Sequence, residues 1–161
     1  MKKLLLLMPM LLLILAGSVG ASDQQKAAED LIRVSADRME ADEKNRTVMF
    51  YGQVVAQQSG MAIYSEKMTL AYRPGEAREI EKIEIDGGLR IVQGDRVATA
   101  DHGIYKFTDG LIVLYGSAEV HQSGNSIVGD EIIYYLNEAR SVVKSRPDSR
   151  VNAVFSPGGK P

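Results

Sequence analysis

Four carboxylates recur at matching places in the sequence: Asp37, Glu66, Asp101 and Asp130. Two carboxyl groups facing each other across a cleft can hydrolyse a glycosidic bond, one as acid and the other as base or nucleophile. Asp37 with Asp101 is the pair that a carbohydrate hydrolase would use. The periodic placement favours a different role, because a carboxylate repeated once per structural unit most simply accepts backbone N–H bonds at a turn. The two histidines, His102 and His121, lack the spacing of a metal site or of a nucleophile's base. His121 falls on a polar alternating position that suggests an exposed strand face, and His102, next to Asp101, is expected at a rim. Gly52, Gly87 and Gly116 stand singly with no helix pattern after them, so they read as strand bends rather than as a phosphate cradle. The pattern predicts no enzyme, no cofactor and no metal.

The elements that carry these residues are short alternating apolar runs separated by turn-formers. The runs include "TVMFYGQVVAQ", "KMTLAY", "IEKIEI", "LRIVQ", "LIVLYGSAEVH", "EIIYYL" and "VNAVF". Between them lie Asp42 to Asn45, Ser59-Gly60, Arg73 to Glu76, Asp86-Gly87-Gly88, Gly94-Asp95, Thr108 to Gly110 and Ser123 to Asn125. Strands at this spacing predict an all-β domain. The stretch "YGQVVAQQSG" at 51–60 returns as "YGSAEVHQSG" at 115–124, 64 residues on, and a weaker copy begins at Gly87. In all three copies a Gln follows the glycine by six residues (Gln58, Gln93, Gln122) and an acidic residue follows it by 14 (Glu66, Asp101, Asp130). Units this small cannot each bury an apolar face, so they must stack into one shared core.

The N-terminus reads as an export signal. Lys2 and Lys3 precede an apolar run from Leu4 to Ala16, interrupted at Pro9, and small residues follow at Gly17, Ser18, Gly20 and Ala21. The expected organisation is a signal peptide over 1–21, a β domain over 22–157 and a C-terminal tail over 158–161. One short helical turn could form in "SDQQKAAEDLI". With no Cys, stability must come from packing and strand pairing alone. Once Lys2 and Lys3 are removed, the 19 basic residues fall to 17 against 21 acidic ones, a net charge of −4. That balance argues against a general nucleic-acid binder.

The predicted strand faces are aliphatic rather than aromatic. Val54, Ile63, Met68, Leu70, Leu89, Ile91, Val120, Ile127 and Ile132 carry the burial, with Ala56 on the same alternation. A plain aliphatic core explains such faces, and branched aliphatics with Met also suit a slot for flexible acyl chains. In "KMTLAY", alternation sends Met68, Leu70 and Tyr72 one way and Lys67, Thr69 and Ala71 the other.

Several stretches together resemble the OstA-like family of lipopolysaccharide-transport proteins: "VSADRMEAD", "FYGQVVAQQSG", "YRPGEAREIEKIEIDGG", "LIVLYGSAEVHQSGNSIVGDEIIYYL" and "RVNAVFSP". The resemblance implies a V-shaped antiparallel β-jellyroll in the periplasm with a hydrophobic groove that shields the acyl chains of lipid A. It implies lipid contacts at Ile32 and Val34, on a first strand that also meets the preceding subunit, and at Ile91, where well-known members carry an aromatic residue. The other groove residues are the aliphatic set above. Its implied partners are lipopolysaccharide, same-fold domains of the LptC and LptD type, and further copies of the chain joined head to tail. In that contact the first strand (Ile32, Val34) pairs with the last (Val151, Ala153, Val154, Phe155). The alternative within the family is an LptC-like or other lipid-binding module of the same fold.

Overall fold

A computed structural model describes residues 31–75 and 79–157. The proposed signal peptide, the helical turn before Leu31 and the tail over 158–161 lie outside the described residues. Ten strands follow in order: β1 (Arg33–Ser35), β2 (Arg38–Asp42), β3 (Thr47–Gln58), β4 (Met61–Tyr72), β5 (Ile80–Gln93), β6 (Arg96–Lys106), β7 (Leu111–Gln122), β8 (Asn125–Tyr135), β9 (Arg140–Lys144) and β10 (Asn152–Val154). A single 3-10 turn, Leu136–Glu138, separates β8 from β9. All pairings are antiparallel within one sheet, ordered β1-β3-β4-β5-β6-β7-β8-β10, with β2 also on β3 and β9 also on β8.

Each long strand is creased at its middle. The register shifts between Tyr51 and Val54, Tyr64 and Lys67, Asp86 and Leu89, Thr99 and His102, and Tyr115 and Ala118. These breaks line up across the sheet, and the gaps between β1 and β2 and between β9 and β10 extend the line to both edges. A bulge adds a residue to one strand and bends it; a row of bulges therefore folds the whole sheet. One wing carries β1, residues 54–58, 61–65, 89–93, 96–100, 118–122 and 125–129, and β10. The other carries β2, residues 47–51, 67–72, 80–86, 102–106, 111–115 and 131–135, and β9.

The fold differs from the sequence reading at the crease. Asp86-Gly87-Gly88 is a bend inside β5, not a turn between two strands, so "IEKIEI" and "LRIVQ" are one element. Gly87 and Gly88 take φ of 80° and 71°, a left-handed conformation that mimics a turn in composition while the chain continues. The hairpins at Ser59-Gly60 and Ser123-Gly124, with positive φ at both residues, are two-residue turns as expected.

Buried residues from both wings form one cluster that includes Val54, Met68, Leu70, Ile83, Ile85, Leu89, Leu114 and Ile132. Met68, Val54 and Leu89 are at most 1% exposed. Burying a side chain of this size stabilises the fold by about 1.5–3 kcal/mol. Leu89 crosses the crease onto Gly103, where an added Cβ would lie 2.5 Å from its Cδ2 atom.

Candidate functional site: an aliphatic row between two unpaired edges

The first wing carries an unbroken row of apolar residues that crosses every strand. Val34 pairs with Ala56, Ala56 with Ile63, and Ile63 with Ile91. Ile91 pairs with Ala98, Ala98 with Val120, Val120 with Ile127, and Ile127 with Ala153. The second wing has its counterpart, in which Met39, Phe50, Met68, Ile85, Gly103, Leu114, Ile132 and Val143 are successive partners. Both rows run perpendicular to the strands, from one edge of the sheet to the other.

Six of the residues assigned to lipid contact from the sequence fall on the first row: Val34, Ala56, Ile63, Ile91, Val120 and Ile127. Met68 and Ile132 lie on the second row, and Leu70 lies two residues beyond Met68. Val54 and Leu89 sit at the crease. Ile32 precedes β1 and packs against the same cluster, whereas Ile127 is half-buried and stands apart from it. The set divides by accessibility. Val54, Ala56, Met68, Leu70, Leu89 and Ile132 are closed core, while Ile32, Val34, Ile63, Ile91 and Val120 are only partly buried around it.

Sequence reading missed Ile83, Ile85, Ala98, Ala100, Leu114 and Ala118, all buried members of the cluster. Ile83 and Ile85 were legible as the apolar phase of "IEKIEI". Ala98 and Ala100 have side chains too small to mark a strand, and only their pairing with Ile91 and Leu89 places them inside.

The repeated carboxylates line the crease. A Cβ built on Gly52 would collide with the carboxylate of Asp37, one on Gly87 would lie 2.8 Å from Glu66 Cβ, and one on Gly116 would lie 2.5 Å from Asp101 Oδ2. Each of these three acidic side chains thus covers the glycine of the neighbouring strand. The backbone N–H of Asp37 also donates to the carbonyl of Gly52 at 3.0 Å. Asp37, in the link between β1 and β2, and Asp101, on β6, are four strand steps apart in the sheet, about 19 Å at the usual strand spacing. A glycosidase pair needs roughly 5–9.5 Å, so these two residues do not form one.

Asp130 holds the link between β9 and β10. Its Oδ2 accepts from the Ser149 hydroxyl at 2.6 Å and from the Arg146 backbone N–H at 2.8 Å, and Arg146 Nε lies 3.1 Å from its Oδ1. These hydrogen bonds, led by Ser149, pull the Asp130 pKa below the ordinary carboxylate value.

Both histidines lie on the outer face of the sheet. His102 is in the middle of β6 rather than at a rim, with Nδ1 2.8 Å from Asp86 Oδ1 and its ring stacked on Tyr115 at 5.1 Å. His121 Nε2 lies 2.7 Å from Glu119 Oε1. Among the described residues no cluster of three His, Cys, Asp or Glu groups could hold a metal ion.

The two ends of the sheet are free edges, and each exposes large apolar side chains among polar ones. Leu31 and Met39 are 57% and 60% exposed at the β1/β2 end, and Val154 and Phe155 are 61% and 69% exposed at the β10 end. Of the residues expected at an interface, Ile32 and Val34 are half-buried, while Val151, Ala153, Val154 and Phe155 are exposed.

These features define a class: a creased, open antiparallel sheet whose aliphatic interior runs between two unpaired edges. Residues 33–140 match the family described as "LptA/(LptD N-terminal domain) LPS transport protein", and the chain belongs to that family. It is 26% identical over 150 residues to the lipopolysaccharide export system protein LptA of Escherichia coli K12, covering 89% of this chain and 80% of that one. It is 27% identical over 146 residues to the lipopolysaccharide export system protein LptH of Pseudomonas aeruginosa, with 82% of each chain covered. The crystal structure of LptH, described as the LptA-homologous periplasmic component of a lipopolysaccharide transport device, superposes with a TM-score of 0.69. At 24% identity, that match covers 80% of this chain and 97% of the other. Both of these relatives, LptA and LptH, are export-system proteins by name, not enzymes. Among the described residues, no helix is long and apolar enough to cross a membrane.

Proposed function

We propose that this chain is an exported periplasmic carrier that shields the acyl chains of lipopolysaccharide between its wings and joins with other copies, or with same-fold domains, edge to edge. The domain spans 22–157 and is released after cleavage near Ala21 or Ser22. The observation that carries the reading is the aliphatic row from Val34 to Ala153, which reaches both unpaired edges. Each acyl CH₂ exposed to water costs about 0.8 kcal/mol. A chain of a dozen carbons therefore costs roughly 10 kcal/mol to expose, and a continuous apolar path removes that barrier. Val54, Met68 and Leu89 are sealed in the core, so the acyl chains lie along the half-buried positions Val34, Ile63, Ile91 and Val120.

The edges support end-to-end growth. β3 to β8 alternate in direction, β1 runs opposite to β3, and β10 runs opposite to β8. β10 of one copy therefore meets β1 of the next in antiparallel sense, and strand addition brings Ala153 beside Val34 to continue the row. The two surfaces differ, so the contact does not close on itself. LptC-type and LptD-type domains of the same fold can dock by the same geometry.

Mass spectrometry of material co-purifying from a Gram-negative host tests the carrier reading: acylated glycolipid is expected, and its absence contradicts it. Light scattering tests the assembly. Mass should rise with concentration for the mature chain and not for one ending at Arg150; a strictly monomeric full-length chain would contradict edge pairing.

A further inference from the structure

The repeated glutamines occupy one place in the fold. On β3, β5 and β7 the residue six after the crease glycine is Gln58, Gln93 or Gln122, at the end of the strand farthest from the crease. Each stands two residues beyond a member of the aliphatic row, Ala56, Ile91 or Val120, and so shares its inward face. The intervening strands complete the rim: Met61 pairs with Gln58 and Gln93, Arg96 pairs with Gln93, and Asn125 pairs with Gln122. Arg96 donates from Nε and Nη2 to Gln122 Oε1 at 3.2 and 3.0 Å, which holds that carboxamide in place. At the β1 end the rim dips into a shallow depression lined by Arg33, Gln57, Gln58, Ser59, Gly60 and Met61.

Solvent exposure alone does not dictate this chemistry, because the second wing ends differently. There the inward residues farthest from the crease are Tyr72, Ile80 and Phe107, packed against the core, with Phe107 stacked on Tyr105 at 4.0 Å. One lip of the interior is apolar and the other carries four carboxamides, Gln58, Gln93, Gln122 and Asn125, with Met61 and Arg96 between them. A carboxamide both donates and accepts, as does a sugar hydroxyl.

We infer that the Gln93–Arg96–Gln122 rim binds the saccharide head of the acylated ligand, setting which end of the amphiphile enters the wings and favouring glycolipids over simple fatty acids. This rests on the carrier reading above. The aliphatic row holds the acyl chains, and the amides hold the head.

The test compares two ligands on the mature chain: a fluorescent fatty acid, and an acylated glucosamine disaccharide carrying the same chains. The wild type should prefer the glycolipid. Gln93→Ala with Gln122→Ala should weaken glycolipid binding about ten-fold, two neutral hydrogen bonds' worth, and leave the fatty acid unchanged. Two results overturn the inference: both ligands binding the variant as they bind the wild type, which makes the rim an ordinary polar strand end, or both weakening together, which makes the amides structural. If the wild type takes up neither ligand, the carrier reading itself fails.

Discussion

Gly116→Ala and Gly60→Ala form a matched pair that isolates what the crease carboxylates do. Both glycines have φ of 77°. Placing an L-residue in that left-handed region costs about 1–2 kcal/mol, and this backbone cost is common to both substitutions. A methyl at Gly60 meets nothing within 4 Å, whereas at Gly116 it lies 2.5 Å from Asp101 Oδ2, 2.8 Å from Asp101 Cβ and 3.0 Å from its Cγ. The carboxylate can swing away, but Cβ is fixed to the β6 backbone, so the crease must open locally. Overpacking of this kind costs about 1–3 kcal/mol. Gly60→Ala should therefore lose about 1–2 kcal/mol and Gly116→Ala about 2–5 kcal/mol. Urea unfolding of the mature chain reads the difference as a larger fall in the midpoint for Gly116→Ala at unchanged slope. Equal losses for the two would refute the view that Asp101 packs on Gly116 to set the bend.

The same geometry sets the outcome at four other positions. Met68→Ala, at a fully sealed position, should destabilise by about 2–5 kcal/mol, whereas Ile91→Asp, at the half-buried row, should impair uptake of a fluorescent fatty acid more than it lowers the urea midpoint. The Asp130 pKa lies below its unfolded value, so the stability it contributes is present above pH 3.8 and is lost as pH falls through the folded value. The protection factors of amides in residues 146–154, taken relative to the intrinsic exchange rate at each pH, should accordingly fall at acid pH, and Asp130→Asn should abolish that dependence. His102→Gln removes an outward group bound to Asp86 and should leave fatty-acid uptake unchanged, since neither residue faces the interior.

The strands were legible because their apolar residues alternate. "KMTLAY" places Met68 and Leu70 in the core and leaves Lys67 and Thr69 on the opposite face, as the pleat requires. β2 and β9 were not legible as strands. Arg38, Glu40 and Asp42 are charged, and "RSVVK" has only two strong apolar residues, so it is the neighbouring strand that makes these segments extended. The repeat was visible in the sequence, but its meaning required the register. Gly52 and Glu66 belong to one copy in sequence, yet Gly52 packs against Asp37 and Glu66 against Gly87, because each carboxylate reaches the glycine of the next strand. The shared position of the repeated glutamine likewise emerged only when β5, β6 and β7 brought Gln93, Arg96 and Gln122 onto one lip.

Site-resolved photo-crosslinking tests the central claim most directly. A light-activated residue at Ile91 or Val34, on the inward aliphatic row, should capture lipopolysaccharide in a Gram-negative host, and one at Lys67 or Thr69, on the outward face of β4, should not. Equal capture at inward and outward positions, or capture at neither, would contradict a lipid path between the wings.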